Sequence, residues 1–190
     1  KNLIIEDSVA INNLAGAFQL FNVDGGHIKR VHSITGGGQD TWSGTTLGFI
    51  QSSQNFLIED NEFSFIDRAQ AADGTGMDFE GDTHNVTFRN NVIHNNAGAG
   101  MLILSTGGPN TNLVIEDNTF YNNARDPWND EINSEFQGGG PGHTGIIRNN
   151  GIYRGDSSIN FFSPSADWSV FARTGNRELE YADVRQAPVW

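Results

Sequence analysis

Three carboxylates pose the first chemical question. Asp78 and Glu80 sit two residues apart in GMDFEG, and Glu135 lies in EINSEF. Residues two apart on a strand point to one face, about 7 Å apart. Aligning GMDFEG, GMLIL, EINSEF and SINFF places Asp78, Leu102, Asn133 and Asn160 in one row, and Glu80, Leu104, Glu135 and Phe162 in the next. Glu80 and Glu135 are then expected two repeats apart, roughly 10 Å. Carboxylates at roughly 6.5–9.5 Å suit inverting glycoside hydrolysis, one acting as acid and the other as base on a water. The same acidic face also suits sugar or Ca2+ binding, or simple solvation.

A second set of polar and aromatic residues lies in the segments before these strands. GGGQDTWSG carries Trp42; IDRAQAADGTG carries Asp67, Arg68, Gln70 and Asp73; NNARDPWNDE carries Arg125, Asp126, Trp128, Asp130 and Glu131. Between the last two lies only NNAGAG. Stacked in order, they predict a notch floored by Ala97, Gly98, Ala99 and Gly100 and walled by the Asp73 and Trp128 loops. An indole beside carboxylates is a sugar-binding combination: the ring packs on the C–H face of a pyranose, and the carboxylates accept its hydroxyl protons. Expected ligand-binding residues are therefore Trp128, Trp42, Asp73, Asp78, Glu80, Arg125, Asp126, Asp130 and Glu135. The alternative catalytic set is Asp78, Glu80 and Glu135. The five histidines share no metal-ligand spacing.

A recurring segment must position these groups. NFLIEDNEF, NVTFRNNVI, NLVIEDNTF and TGIIRNNGI start at residues 55, 85, 112 and 144, with a weaker copy, NLIIEDSVA, at residue 2. A fixed motif at a loose period marks stacked supersecondary units joined by loops of varying length. Within NVTFRNNVI, Val86 and Phe88 alternate with polar residues, which reads as a strand. Asn90 and Asn91 break the alternation as a corner, because Asn tolerates left-handed backbone. A second apolar stretch follows each copy, giving about three short strands per unit. The reading is all-β, a right-handed parallel β-helix of about seven coils over residues 1–190, with about 163–190 as a C-terminal closing segment. Asn61, Asn91, Asn118 and Asn150 share one motif position and should hydrogen-bond from coil to coil as a ladder. The segment GHIKRVHSI fits poorly, with Lys29 and Arg30 where apolar residues are expected.

Composition narrows the partners. A net charge of −12 with 11 Lys and Arg disfavours nucleic acid and anionic membranes. The absence of cysteine excludes disulfides and thiolate chemistry. The chain opens inside a strand with no signal peptide and no cap over the first sheet edge, so a domain cut from a longer secreted protein is expected.

Asp78-Phe79-Glu80-Gly81-Asp82, running into Asn85-Val86-Thr87-Phe88-Arg89-Asn90-Asn91, resembles the pectate-lyase-like superfamily of right-handed β-helices over residues 2–162. The resemblance implies a carbohydrate-active protein. Lyases of this fold use Lys or Arg, often with Ca2+; here the lysines are Lys1 and Lys29, and the candidate arginines are Arg68 and Arg125. The aspartate motifs of polygalacturonase-like enzymes are absent. In size and style the chain is similar to carbohydrate-binding module family 89, which implies a secreted bacterial, non-catalytic, monomeric module that holds plant-cell-wall xylan for a linked xylanase, with no cofactor. Ca2+ held by the acidic loops is the alternative there, and a polysaccharide-degrading hydrolase or lyase is the alternative function.

Overall fold

The computed structural model describes residues 2–13, 16–36, 46–66, 74–125, 134–154 and 159–184. The chain winds as a parallel β-solenoid in which every strand pairs with its equivalents one turn away. Its strands are β1 (Leu3–Asn13), β2 (Phe18–Phe21), β3 (Asp24–Gly36), β4 (Thr46–Gln51), β5 (Gln54–Glu59), β6 (Glu62–Ser64), β7 (Thr75–Gly81), β8 (His84–Arg89) and β9 (Val92–His94). They continue as β10 (Met101–Ile103), β11 (Thr111–Glu116), β12 (Thr119–Tyr121), β13 (Ser134–Gly138), β14 (Gly145–Arg148), β15 (Gly151–Tyr153), β16 (Asn160–Phe162), β17 (Phe171–Thr174) and β18 (Arg177–Glu178). One six-stranded sheet runs β16-β13-β10-β7-β4-β2, and we call it the front sheet. The other strands form a twelve-stranded sheet that bends through the long β3 to make the two remaining faces. No α-helix occurs among the described residues.

Four turns, β4–β6, β7–β9, β10–β12 and β13–β15, repeat the three-strand pattern in regular form. The ends are irregular: two strands fuse in β1 and again in β3, and β18 has only 2 residues. The solenoid therefore has about four turns, and the expected seven coils are not observed. The count of seven included the weaker copies toward the two ends, where the three-strand pattern is not regular. In the expected closing segment, Trp168 packs edge-on against Phe136 and donates its indole N–H to Ser163 O.

Asn and Asp set the corners for two separate reasons. The first corner residue takes positive φ: Asp60 56°, Asn90 55°, Asp117 57° and Asn149 55°. Short polar side chains tolerate that region because they hydrogen-bond locally. The second residue turns inward. Asn61, Asn91, Asn118 and Asn150 form the expected ladder, each donating its backbone and side-chain N–H to the Oδ1 of the next at 2.9–3.0 Å, and Asn176 extends it by one rung. Their remaining amide protons go to carbonyls of the turn before, such as Ile58 and Phe88. A second ladder, missed in the sequence, starts at Ile66 N–H and runs through Asn96 and Asn123.

Inside, Ile28, Ile58, Phe88, Ile115 and Ile147 stack in one column. All are essentially inaccessible to solvent. The awkward GHIKRVHSI segment obeys the same rule. Ile28 and Val31 point inward, Lys29 points out to Glu59, and Arg30 occupies the left-handed corner, bonded to Asp7.

Candidate functional site

The front sheet carries the sequence-predicted carboxylates, but not in the predicted rows. Met101 pairs with Met77 on one side and Phe136 on the other, so the outward row is Phe49, Asp78, Leu102 and Gln137. Gln137, not Asn133, follows Leu102; Asn133 lies outside the described residues. The alignment of β13 had slipped by four residues, an even step that preserves inward–outward alternation and so leaves no violation in the pattern.

This correction separates Glu80 from Glu135. Glu80 stays at the outer edge and accepts a 2.8 Å hydrogen bond from Thr106 Oγ1. Asp78 is buried, 1% exposed. Glu135 is 0% exposed and accepts from Asn123 Nδ2 at 2.8 Å, so it closes the second Asn ladder. Its other oxygen, Oε1, has no hydrogen-bond partner among the described residues. Complete burial, only partly offset by the Asn123 bond, pushes its carboxyl up to about 7. The expected acid/base pair of Glu80 and Glu135 is therefore not assembled. One acid is on the surface and the other is walled inside.

Glycine makes the inward turn of Glu135 possible. A Cβ on Gly100 would lie 2.6 Å from Phe120 Cδ1 and 2.8 Å from Glu135 Oε2. Gly100→Ala should therefore lower stability by about 1–3 kcal/mol through overpacking. Urea unfolding checks this, and an unchanged midpoint would show that the carboxylate moves aside freely.

The predicted floor, Ala97 to Gly100, is buried rather than open. Its backbone is knitted to both neighbouring turns: Gly98 N–H donates to Gly74 O at 2.8 Å, and Gly98 O accepts from Ala124 N–H at 2.7 Å. Arg125 is exposed and folds back to donate to Asn95 O at 2.8 Å. Trp42, Asp73, Asp126, Trp128 and Asp130 lie outside the described residues.

A different concavity opens on the front sheet toward its C-terminal end. It is a cleft of about 830 Å³. Leu102, Leu104 and Gln137 line its sheet side, Gly138 to Pro141 form one rim, and Asn160 with Ser163 to Asp167 form the other. The first rim is held by left-handed glycines; a Cβ on Gly138 would meet Ile103 O at 2.1 Å. The opposite rim is tied down by Ser163 N–H on Phe136 O and by the Trp168 indole on Ser163 O. Among the described residues lining the cleft, Asp167 is the only ionisable one. Two buried oxygens there, Ser134 Oγ and Gln137 Oε1, have no partner among the described residues. Sequence reasoning missed this site. Its available signal was Gly138-Gly139-Gly140-Pro141, a longer version of the Gly107-Gly108-Pro109 segment one turn earlier.

Other ionisable clusters are satisfied internally. Burial opposes the charge on Glu59, but hydrogen bonds from Arg89, Lys29 and His27 outweigh it and hold the carboxyl at about 2. Burial likewise opposes Glu62, yet His94 and His32 keep its carboxyl below the usual range. Burial, and then the Glu62 charge, push the Tyr121 phenol up to about 12, and its ring stacks on His94 at 4.5 Å. Among the described residues, no group of three His, Asp or Glu side chains is arranged to hold a metal ion.

Comparisons with known proteins agree with this architecture. The solved structure of a protein described as a "putative glycosyl hydrolase" from Parabacteroides merdae superposes with a TM-score of 0.57 at 7% identity, over 93% of this chain and 82% of that one. At that identity the likeness is one of fold. No curated protein sequence gives a significant match. A family profile described as a right handed beta helix region matches residues 1–163. With parallel ladders, inward Asn corners and that match over most of its length, the chain belongs to the right-handed β-helix family.

Proposed function

We propose that this β-helix is a non-catalytic carbohydrate-binding domain that holds a neutral plant-cell-wall polysaccharide, xylan or a related hemicellulose, in the front-sheet cleft. It acts in a secreted, monomeric setting and keeps an attached glycoside hydrolase on its substrate. The observation that carries this reading is the lining of the cleft. Its described lining offers apolar Leu102 and Leu104 with amide and hydroxyl groups, and no cation. Apolar patches with a few placed hydrogen-bonding groups suit sugar rings. A polyuronate would meet Asp167 and a net charge of −12, with no cation among the described lining residues to neutralise it. The fold-level likeness to a protein described as a glycosyl hydrolase is consistent with a carbohydrate setting. Against the alternative, a hydrolase or lyase, stands the separation of Glu80 from Glu135. Trp42 and Trp128, with Asp73, Asp126 and Asp130, remain proposed contributors from their loops.

Affinity electrophoresis and calorimetry on xylan, mannan and polygalacturonate test the proposal. Xylan should retard the protein, and polygalacturonate should not. Gln137→Ala should weaken xylan binding by about tenfold, the worth of one buried hydrogen bond. Equal retention of wild type and variant would remove the cleft as the site. Release of reducing ends or of an unsaturated product would replace the binding module with an enzyme.

A further inference from the structure

One carboxylate stands at the rim of the front-sheet cleft, and its setting keeps it charged. Ser169 donates its hydroxyl to Asp167 Oδ1 at 2.6 Å and its backbone N–H to the same oxygen at 2.9 Å. These two bonds, and then the charge of Arg173, hold the carboxyl below its ordinary value, so the group is an anion at neutral pH. Asp167 is exposed, and neither bond uses Oδ2.

The cation that acts on Asp167 does not cancel it. Arg173 is held over the Phe162 ring, 5.0 Å from its centroid, and is not among the lining residues. It reaches Asp167 through its charge, without a hydrogen bond. The rest of the chain is a weak substitute for this local charge. The net −12 is spread over 190 residues. Exposed charges more than about 8–10 Å apart are largely screened at physiological salt. The other front-sheet acids described above do not line the cleft: Glu80 bonds Thr106 at the outer edge, Asp78 is buried, and Glu135 is held inside by Asn123. A ligand in the cleft therefore meets the field of Asp167 first.

A single fixed carboxylate sorts sugars by kind. It accepts hydroxyl protons in charge-assisted hydrogen bonds, which are stronger than neutral ones. It repels a second carboxylate brought beside it, and a like-charge contact set against the wrong ligand is a common source of selectivity. We infer that Asp167 sets the branch chemistry the cleft accepts: xylan chains with neutral branches such as arabinose are held, and chains with uronic acid branches are turned away. The inference rests on the reading of the cleft as a sugar site.

Calorimetry with two xylo-oligosaccharides of equal length, one branched with arabinose and one with glucuronic acid, tests it. Wild type should bind the arabinose-branched chain about tenfold more tightly at low ionic strength, the scale of one like-charge contact near a protein surface. Asp167→Asn keeps an oxygen for Ser169 and removes the charge. It should bind the arabinose-branched chain about twofold more weakly and the uronate-branched chain about fivefold more tightly, which erases the preference. Changes of opposite sign cannot come from partial unfolding. Added salt should shrink the wild-type preference and leave the variant unaffected. Asp117→Asn is the control for net charge, at a left-handed corner that carries Asn90 and Asn149 in the neighbouring turns. It should keep the preference at about tenfold, because its charge is remote and screened. Equal binding of both chains by wild type, a preference that survives Asp167→Asn, or one that Asp117→Asn also erases would overturn the inference and leave the sugar site standing. Binding of neither chain by wild type would bring down both.

Discussion

Asn118→Ala should cost about 4 kcal/mol of unfolding free energy. The side chain is 1% exposed, and both of its polar atoms are fully used. Its Oδ1 accepts from Asn91 N–H and Asn91 Nδ2, while its Nδ2 donates to Phe88 O and Asn150 Oδ1. Alanine leaves two buried donors on Asn91 without an acceptor, at about 1–3 kcal/mol each, and takes a donor from each of two oxygens. Domains of this size typically hold only about 5–15 kcal/mol in total, so the loss is a large fraction of it. Asn85→Ala is the matched control. It also interrupts an Asn row, between Asn55 and Asn112, but in water. Its cost should be about 1 kcal/mol, mostly from placing alanine at φ 54°. Urea unfolding of both variants decides the matter. Equal losses would mean that burial of the ladder contributes nothing beyond corner geometry.

That ladder was legible in the sequence because one residue type had to satisfy two constraints at a fixed motif position. Asn61, Asn91, Asn118 and Asn150 each follow a residue that takes positive φ, and each must turn a donor and an acceptor inward. Asn176 was not legible because its flanking strands, β17 and β18, lack the apolar alternation of the motif. The Asn95-Asn96 and Asn122-Asn123 doublets use the same grammar, with positive φ at Asn95 and Asn122 and an inward amide next. They were read as loop openings because the apolar strand that should follow begins several residues later. The site was harder still. Ile132, Ser134 and Phe136 have the same parity, so alternation cannot say which of them meets Met77 and Met101. Only the packed core chooses Phe136, which packs at a tilt against Phe120 and stacks on Phe161.

Glu135 shows where parity itself stops being a guide. It has the parity of outward-facing Gln137, yet it lies inside. At the start of β13 the chain is still leaving a corner, and the two residues in the same row, Gly76 and Gly100, have no side chains to fill the interior. The carboxyl takes that space and the role of the next Asn rung.

A buried acid in that position should make the protein lose stability as pH rises toward neutrality. The carboxyl of Glu135 has an ordinary value of 4.5 and is lifted to about 7 in the fold. Burial is the main cause, and the Asn123 hydrogen bond only partly opposes it. The unfolded chain therefore gives up this proton more readily than the folded one. The stabilisation linked to the neutral acid is fully present below about 4.5 and is lost as pH rises through about 7, by about 3 kcal/mol on the linkage relation. Glu59 and Glu62 act in the opposite sense. Their carboxyls are held low, so their contribution is present above about 4.5 and fades in stronger acid. Together these groups place maximum stability near pH 5. Glu135→Gln separates the two effects. Glutamine keeps an oxygen for Asn123 and cannot ionise, so the variant should be more stable than wild type at pH 7.5 and should lose the slope between pH 5 and pH 7. Urea midpoints measured across that range give the answer. An unchanged slope in the variant would show that Glu135 is not the titrating group.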